Sequence, residues 1–434
     1  MLQALLAGVA SIKAQQTRLN VIGNNLANVN TTAYKGSRVT FQDMIAQTLR
    51  GASRPTGSAG GTNPVQFGLG VTVAGTDVNN EQGSLNATNR PTDLAIQGNG
   101  YFMVSNGAST SFTRDGAFNL DARGDVAQSA TGQRVVGWKA DSLGAINTTV
   151  PLGPTSSINI PLGSQNAVQV TTRVTWAGNL DGAAIATAST PVSKEVFDSL
   201  GGAHDVTLTF TNRQSPPPLL PVPPTGAVSS WDWSGQETTN GATTAIGGSA
   251  SAGNEPLYFD KNGALLTSLA AGTFNKVTVP ASNGTPAFPV DLDFSAIGQL
   301  KTASQLNATD QNGFRPGSLQ GFTIGQDGVI TGIFTNGLTR SLGQVAMAIF
   351  PNPNGLERTG NNLWRSTDNS GIAVTGTPKS GGRGTVTSGF LEQSNVDIGN
   401  EFTDLIVTQR GFQANTKVVT TVDEMLQELI NMKR

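Results

Sequence analysis

The sequence predicts a multidomain, mainly β protein whose two ends are long α-helices. Three observations carry that class. Apolar residues recur at alternating threes and fours at both ends, they alternate with polar residues through much of the interior, and Gly-containing turn pairs punctuate that interior.

The terminal patterns are the strongest. From Leu391 to Met432 the chain contains no proline, and Ile398, Phe402, Leu405, Gln409, Phe412, Thr416, Val419, Asp423, Leu426 and Ile430 step at coiled-coil spacing. Gln409, Thr416 and Asp423 interrupt that seam. A second apolar row through Val418, Val422, Met425, Leu429 and Met432 lies beside it, so this helix wants more than one neighbour. Asp397, Glu401 and Asp404 near its start and Lys417, Lys433 and Arg434 toward its end suit the helix dipole. At the other terminus Leu2, Leu5, Val9, Ile12, Gln16, Leu19, Gly23 and Leu26 follow the same stepping, and the stretch ends in the turn-prone residues Gly23 to Asn30. Each helix would be roughly 40 Å long at about 1.5 Å per residue. The cover for these stripes is the other terminus, a second copy of the chain, or both.

Between the helices, Phe41, Met44, Ile45 and Leu49 suggest a short ordered piece, and the Gly, Ser, Ala and Thr of residues 51–63 a flexible link. From Val65 the period becomes two. Val71, Val73, Leu85, Leu94, Ile96, Tyr101, Phe102 and Val104 mark a sheet domain, with hairpin turns expected at Asn99-Gly100 and Asp115-Gly116. Val168 to Thr171 and Val206 to Phe210 continue the β signal, broken by the extended Pro-rich run Pro216 to Pro224. A meander closes the series: Phe322 to Ile324, a turn at Asp327-Gly328, Val329 to Phe334, a turn at Asn336-Gly337, and Val345 to Phe350. The expected division is residues 1–30 with 396–434 as a helical domain and 31–64 as a connecting segment. Residues 65–165 with 315–395 form a middle β domain, and 166–314 a β domain inserted into it.

A length of 434 residues allows two to four domains, and charged residues are only 13%, about half the usual share. Gly, Ser, Thr and Asn make up the difference, a surface suited to close packing against like copies. A net charge of −2 gives no footprint for nucleic acid or an anionic membrane. No cysteine and one histidine exclude disulfides, thiolate catalysis and multi-histidine metal sites. No apolar run approaches the roughly 18 residues of a membrane span. The start lacks a basic n-region and runs on at helical period, so an uncleaved N-terminus is expected.

Candidate chemistry is thin. Gly98-Asn99-Gly100 precedes a strand, so the helix N-terminus that would hold a pyrophosphate is missing and a hairpin turn is the better reading. His204-Asp205 lacks a nearby nucleophile elbow and reads as part of a turn. Asp115, Asp121 and Asp125 lack a calcium-loop pattern and suit hairpin turns. The Pro-rich run is a surface loop before it is a docking peptide, and Asn-X-Thr triplets such as those from Asn30, Asn86 and Asn147 are expected by chance in so Thr-rich a chain. No catalytic, cofactor-binding or metal-binding residue is assigned.

The ends carry a resemblance. Leu19-Asn20-Val21-Ile22-Gly23-Asn24-Asn25-Leu26-Ala27-Asn28 resembles the N-terminal signature of the flagellar rod and hook proteins. Leu391-Glu392-Gln393-Ser394-Asn395-Val396-Asp397 with Gln409-Arg410-Gly411-Phe412-Gln413-Ala414-Asn415 resembles their C-terminal one. The stretches from Thr335 to Ala346, Phe350 to Leu356 and Val196 to Gly201 are similar to the hook members; residues 211–255, with Trp231 and Trp233, follow no family pattern. The resemblance implies a tubular, flexible homopolymer outside the cell that carries torque from rod to filament. Terminal helices would pair as an inner coiled coil, with stacked β domains outside. It implies export through the type III apparatus and contacts with rod, hook-cap and hook-filament junction proteins. Leu5, Val9, Ile12, Leu19 and Leu26, with Phe402, Leu405, Phe412, Val419 and Leu426, are then the expected subunit interface, ordered on assembly. A distal rod subunit is the neighbouring reading, and a secreted β-rich adhesin or carbohydrate-active enzyme the one from another class.

Overall fold

The computed structural model describes residues 2–55, 60–141, 144–163, 167–217, 223–239, 242–251, 253–267, 273–282 and 284–432. Contacts divide the chain into two units, one of Met1–Ile160, Phe322–Thr331 and Ser341–Arg434, the other of Pro161–Gly321 and Gly332–Arg340.

The first unit contains both terminal helices, α1 (Leu2–Ala27) and α2 (Ile398–Asn431). Asp397 starts α2: its carboxylate accepts the backbone N–H of Asn400 at 3.1 Å, with Glu401 in the first turn, which satisfies one of the donors a helix start leaves free. After α1 the chain makes a long hairpin, in which β1 (Ser37–Asp43) pairs with β4 (Val71–Val78) and, beyond Met44, β2 (Ala46–Arg50) with β3 (Val65–Gly68). The body of the unit is a sheet centred on Tyr101–Ser105, which pairs with Thr110–Thr113, Arg134–Val135 and Met347–Ile349. Alternating apolar residues explain it, since Tyr101, Met103, Phe112, Val136, Trp138, Phe350 and Trp364 form one buried cluster. Phe112 meets Phe350 edge-on at 4.8 Å. Two further ladders, Leu94–Gln97 with Thr385–Ser388 and Leu85–Ala87 with Phe390–Glu392, lead the chain back to α2.

The second unit packs a four-stranded sheet against a longer one. In the first of these, Arg173–Asp181 runs parallel to Phe288–Leu300. A parallel pair needs a long crossover, and here the crossover contains the whole second sheet, from Thr190–Phe197 through Ala203–Gln214, Ser229–Thr239 and Leu257–Phe259. Phe288, Val290, Leu292 and Phe294 alternate inward and meet Trp176, Phe210, Trp231, Trp233 and Phe259 in one core. Residues 211–255, which matched no pattern, therefore supply central strands, and the two tryptophans of Trp231-Asp232-Trp233 both point inward.

Several local expectations change. The boundary at Val65 falls inside a hairpin, because β3 and β4 fold back on the segment read as a connector. Asn99-Gly100 does not close a hairpin: Leu94–Gln97 pairs with Thr385–Ser388, so the turn carries the chain from one ladder to another. The same holds at Asp115-Gly116, where Thr110–Thr113 pairs with Tyr101–Ser105 and Phe118–Leu120 with Val126–Gln128. Turn dipeptides report a change of direction; which strand is paired next depends on partners distant in sequence. The third meander strand is Thr339–Val345, and Met347–Ile349 enters the body sheet instead. Pro218 to Val222 of the Pro-rich run lie outside the described residues.

Candidate assembly surface

The terminal helices pair antiparallel within one chain. Asn25 Nδ2 donates to Glu401 Oε1 at 2.9 Å, Arg18 Nη2 to Asp404 Oδ1 at 3.0 Å, and Asn415 Nδ2 to Ser11 Oγ at 2.7 Å. Farther along, a Cβ on Gly8 would come within 3.0 Å of Val419 Cγ2. The α1 positions at this seam are thus Gly8, Ser11, Gln15, Arg18, Ile22 and Asn25, a three-four repeat of mostly small and polar residues. On α2 the seam alternates Leu405, Phe412, Val419 and Leu426, all half-buried, with Thr408, Asn415 and Val422, of which Thr408 and Val422 are buried.

This corrects the predicted phase on α1; on α2 Leu405, Phe412, Val419 and Leu426 keep their predicted places, while Thr408, Asn415 and Val422 take those of Gln409, Thr416 and Asp423. Leu5, Ile12, Leu19 and Leu26 are only partly covered beside the seam, Val9 is exposed, and Phe402 is 48% exposed. Gln409 and Asp423 are also exposed, one residue out of register with the true seam. Hydrophobicity marks where a helix wants cover, whereas close approach of two backbones selects glycine, serine and asparagine, which the apolar pattern does not see. The consequence is a pair of helices with unclaimed apolar surface. Val407, Val418, Met425 and Leu429 form one row on α2, each between 45% and 57% exposed, and Ile398, Phe402 and Ile406 another near its start.

Where the helices enter the body, the signature residues form a clamp. Asn25, 2% exposed, accepts the N–H of Ser37 and the hydroxyl of Tyr34 on Oδ1 and donates to the Ser37 carbonyl. Asn395 accepts the N–H of Gly36 at 2.8 Å and donates to the carbonyls of Asn79 and Glu81. Asn24 donates to the Tyr34 hydroxyl and Asn28 back to Asn24. Val396 packs against Gly36, and Ser394 accepts the Val396 N–H. Ala27, Gln409 and Arg410 are exposed, the last bonded to Gln413.

Beneath this clamp sits an ionic cluster the sequence did not reveal. Lys35 Nζ lies 2.6 Å from Glu392 Oε1 and Arg114 Nη1 3.4 Å from Oε2, with the three side chains 2%, 0% and 6% exposed in the order Lys35, Glu392, Arg114. The Gly83 N–H also donates to Glu392, Lys35 to the Glu81 carbonyl and Arg114 to that of Gly98. Burial lowers the Lys35 ammonium from its ordinary value, opposed by the Glu392 charge. Arg358 completes the ring, its guanidinium 5.0 Å from the Tyr34 ring centroid and 4.9 Å from that of Trp364, donating to the Lys35 carbonyl. Glu392 stood inside a quoted motif; Lys35 and Arg114 carried no signal at all.

The remaining candidates are structural. His204 is not in a turn but in the strand Ala203–Gln214, 2% exposed, 2.9 Å from Glu237 Oε1 and 3.4 Å from Asp198 Oδ2. Burial raises the Asp198 carboxyl, but the N–H groups of Gly202 and Leu200 with His204 and Thr285 bring it below its usual value. Asp121 is a turn acceptor for the N–H groups of Arg123 and Asp125, and Asp115 accepts from Ala117, Thr32 and Gln128. Among the described residues no group of acidic or histidine side chains has the arrangement to hold a metal, and no helix is long and apolar enough to cross a membrane.

Family models first define the class, that of proteins of the bacterial flagellar axis. The model for the flagella basal body rod protein matches residues 5–35 and that for the flagellar basal body rod FlgEFG protein C-terminal matches 387–432. Between them, the flagellar hook protein FlgE/F/G D1 domain matches 95–175 and the flagellar basal body protein FlaE D2 domain 164–314. The chain belongs to the flagellar hook protein family. It is 36% identical over 462 residues to the flagellar hook protein FlgE of Borreliella burgdorferi, and 36% identical over 474 residues to that of Treponema pallidum, with 100% of both chains covered in each case. In fold it is similar to the crystal structure of the Helicobacter pylori flagellar hook protein FlgE2, with a TM-score of 0.50 at 13% identity over 71% of this chain and 100% of that one.

Proposed function

We propose that this chain is the structural subunit of a flagellar hook, a tubular homopolymer that transmits motor torque from rod to filament as a flexible joint. The supporting observation is the uncovered apolar surface of α1 and α2 in a chain that aligns end to end with hook proteins. Burying a large apolar side chain contributes about 1.5–3 kcal/mol, so the Val407, Val418, Met425 and Leu429 row of one copy against Leu5, Val9, Ile12, Leu19 and Leu26 of another is a strong assembly contact. The polar seam sets register within one copy and leaves these rows for neighbours. Residues 1–30 with 396–434 then form the inner layer, 31–64 with the returning strands a connector, and the two β regions the outer layers.

The rod, the hook cap and the hook-filament junction proteins are the expected neighbours along the axis, and the type III apparatus the export route to an extracellular site. Bending would slide outer β domains whose weakly charged surfaces strand no buried ion on shifting register. The function is mechanical and needs no cofactor.

Electron microscopy of the full chain under salting-out conditions, beside a chain lacking residues 1–30 and 396–434, tests the reading. Curved or flexible tubes from the full chain alone are expected. Straight, stiff tubes would move the assignment to the rod, and no tubes from either would remove it.

A further inference from the structure

Deamidation of an Asn-Gly pair needs two free groups, the side-chain amide that is attacked and the backbone N–H of the glycine that attacks it. Glycine is the permissive partner because it has no Cβ to crowd its own nitrogen. The chain carries this pair at residues 99, 106, 240, 262, 283, 312, 336 and 354. Residues 240, 241 and 283 lie outside the described ones. In the other pairs but one, the chemistry is blocked. The glycine N–H donates to Ser105 Oγ at Gly107, and to the carbonyls of Asp260, Phe334 and Asn352 at Gly263, Gly337 and Gly355. At Asn312 the side chain is held instead: Oδ1 accepts the N–H groups of Thr172 and Arg173, and Nδ2 donates to Thr172 Oγ1. The exception is Asn99. Its side chain is exposed, and neither that side chain nor the Gly100 N–H has a hydrogen-bond partner among the described residues. The Asn99 carbonyl, by contrast, is engaged. It accepts the Gly384 N–H at 2.7 Å, and Arg114 Nη2 pins the preceding carbonyl, that of Gly98, at 2.7 Å.

We propose that Asn99 is a site of spontaneous deamidation assisted by the fold. Hydroxide removes the Gly100 N–H proton, and the charge spreads onto the Asn99 carbonyl oxygen. There the Gly384 N–H is already placed to stabilise it, as a fixed donor does for a developing oxyanion. The Gly100 nitrogen then forms a bond to Asn99 Cγ, and the Cγ–Nδ2 bond breaks, the amide nitrogen taking a proton from water and leaving as ammonia. Water opens the cyclic imide at one carbonyl or the other, which leaves isoaspartate or aspartate at position 99. Isoaspartate puts an extra methylene into a main chain that has little room for one. A Cβ on Gly98 would lie 3.2 Å from Gly384 Cα, and one on Gly100 2.6 Å from Met347 Cε. The turn joins Leu94–Gln97 to Tyr101–Ser105 of the body sheet, so the product loosens the pairing of Leu94–Gln97 with Thr385–Ser388.

The test is peptide mapping by mass spectrometry of the full chain aged in mildly alkaline buffer, once folded and once in urea. In the folded chain Asn99 is expected to convert at least tenfold faster than Asn106, Asn262, Asn312, Asn336 and Asn354. In urea all six should convert at similar rates, because each is followed by glycine. Hydrogen exchange at Leu94–Gln97 should quicken as the folded chain ages and stay constant in Asn99→Gln. Equal rates in the folded chain, or another pair in the lead, overturn the proposal. A lead of Asn99 that persists undiminished in urea also overturns it, by tracing the reactivity to local sequence instead of the fold. Exchange at Leu94–Gln97 that changes equally in the parent and in Asn99→Gln overturns the loosening.

Discussion

Replacing Glu392 with alanine removes the carboxylate that bridges Lys35 and Arg114 while leaving both cations buried, their side chains 2% and 6% exposed. The N–H of Gly83 loses its acceptor in the same step. Breaking a buried ion cluster by removing one partner costs about 3–5 kcal/mol, because the remaining charges stay desolvated. For a unit of this size each kcal/mol lowers the melting temperature by roughly 2–4 °C, so a fall of about 10 °C is expected. Differential scanning calorimetry of the full chain measures it, with hydrogen exchange of Leu85–Ala87 and Phe390–Glu392 locating the loss at their shared ladder. The triple variant Lys35→Met, Arg114→Met, Glu392→Leu carries no stranded charge and should melt well above the single variant. A Glu392→Ala chain melting within about 1 °C of the parent would refute the reasoning, since the cations would then have found water or another partner at no cost.

Four further outcomes follow from the geometry. His204→Ala leaves Asp198 and Glu237 buried without the ring between them, and should cost at least about 2 kcal/mol in a urea melt, confined by hydrogen exchange to the second unit. Asn25→Ala orphans the N–H of Ser37 and should destabilise the clamp by about 1–3 kcal/mol, read as faster exchange at residues 34–38. Burial raises the Glu401 carboxyl above its ordinary 4.5, Asp404 adding to this against the Asn25 hydrogen bond and Arg18. A raised folded pKa gives stability that is complete below the unfolded value and lost as pH rises through the folded one. Protection of the first turns of α2, corrected for intrinsic rates, should therefore increase as pH falls from 7 toward 4.5, and Glu401→Gln should abolish the trend. Val418→Ser with Met425→Ser should leave the monomer melt unchanged yet raise the critical concentration for tubes more than tenfold, because about 1.5–3 kcal/mol per side chain is lost at the contact alone.

Both helices and the β interior could be read from the chain because each rests on a local period. The phase of the seam on α1 could not. Gly8, Ser11 and Asn415 are chosen for proximity, so an apolar pattern points at Leu5, Ile12 and Leu19, which stand beside the contact. The clamp was half visible: Asn25 and Asn395 stood in quoted motifs, but a motif does not state that one bonds Ser37 and the other Gly36. The ionic cluster was hidden because Lys35 and Arg114 meet Glu392 across 357 and 278 residues, a distance at which sequence spacing carries no geometry. Trp231 and Trp233 stood in a stretch that followed no family pattern, and only the structure shows them buried; His204 misled, since its Gly-rich approach suggested a turn where a strand begins.

The clamp also fixes how a twist would travel. Two covalent strands, residues 33–36 and 392–395, cross the neck between helices and body, and they are cross-tied by Ala33 N–H to the Glu392 carbonyl, Asn395 N–H to the Tyr34 carbonyl, Gly36 N–H to Asn395 Oδ1, and Lys35 to Glu392. A single strand would swivel freely about its backbone dihedrals. Two strands bonded to one another cannot wind without stretching those ties together, so the neck behaves as a stiff torsion shaft, and angular compliance has to be found elsewhere in the subunit or between subunits.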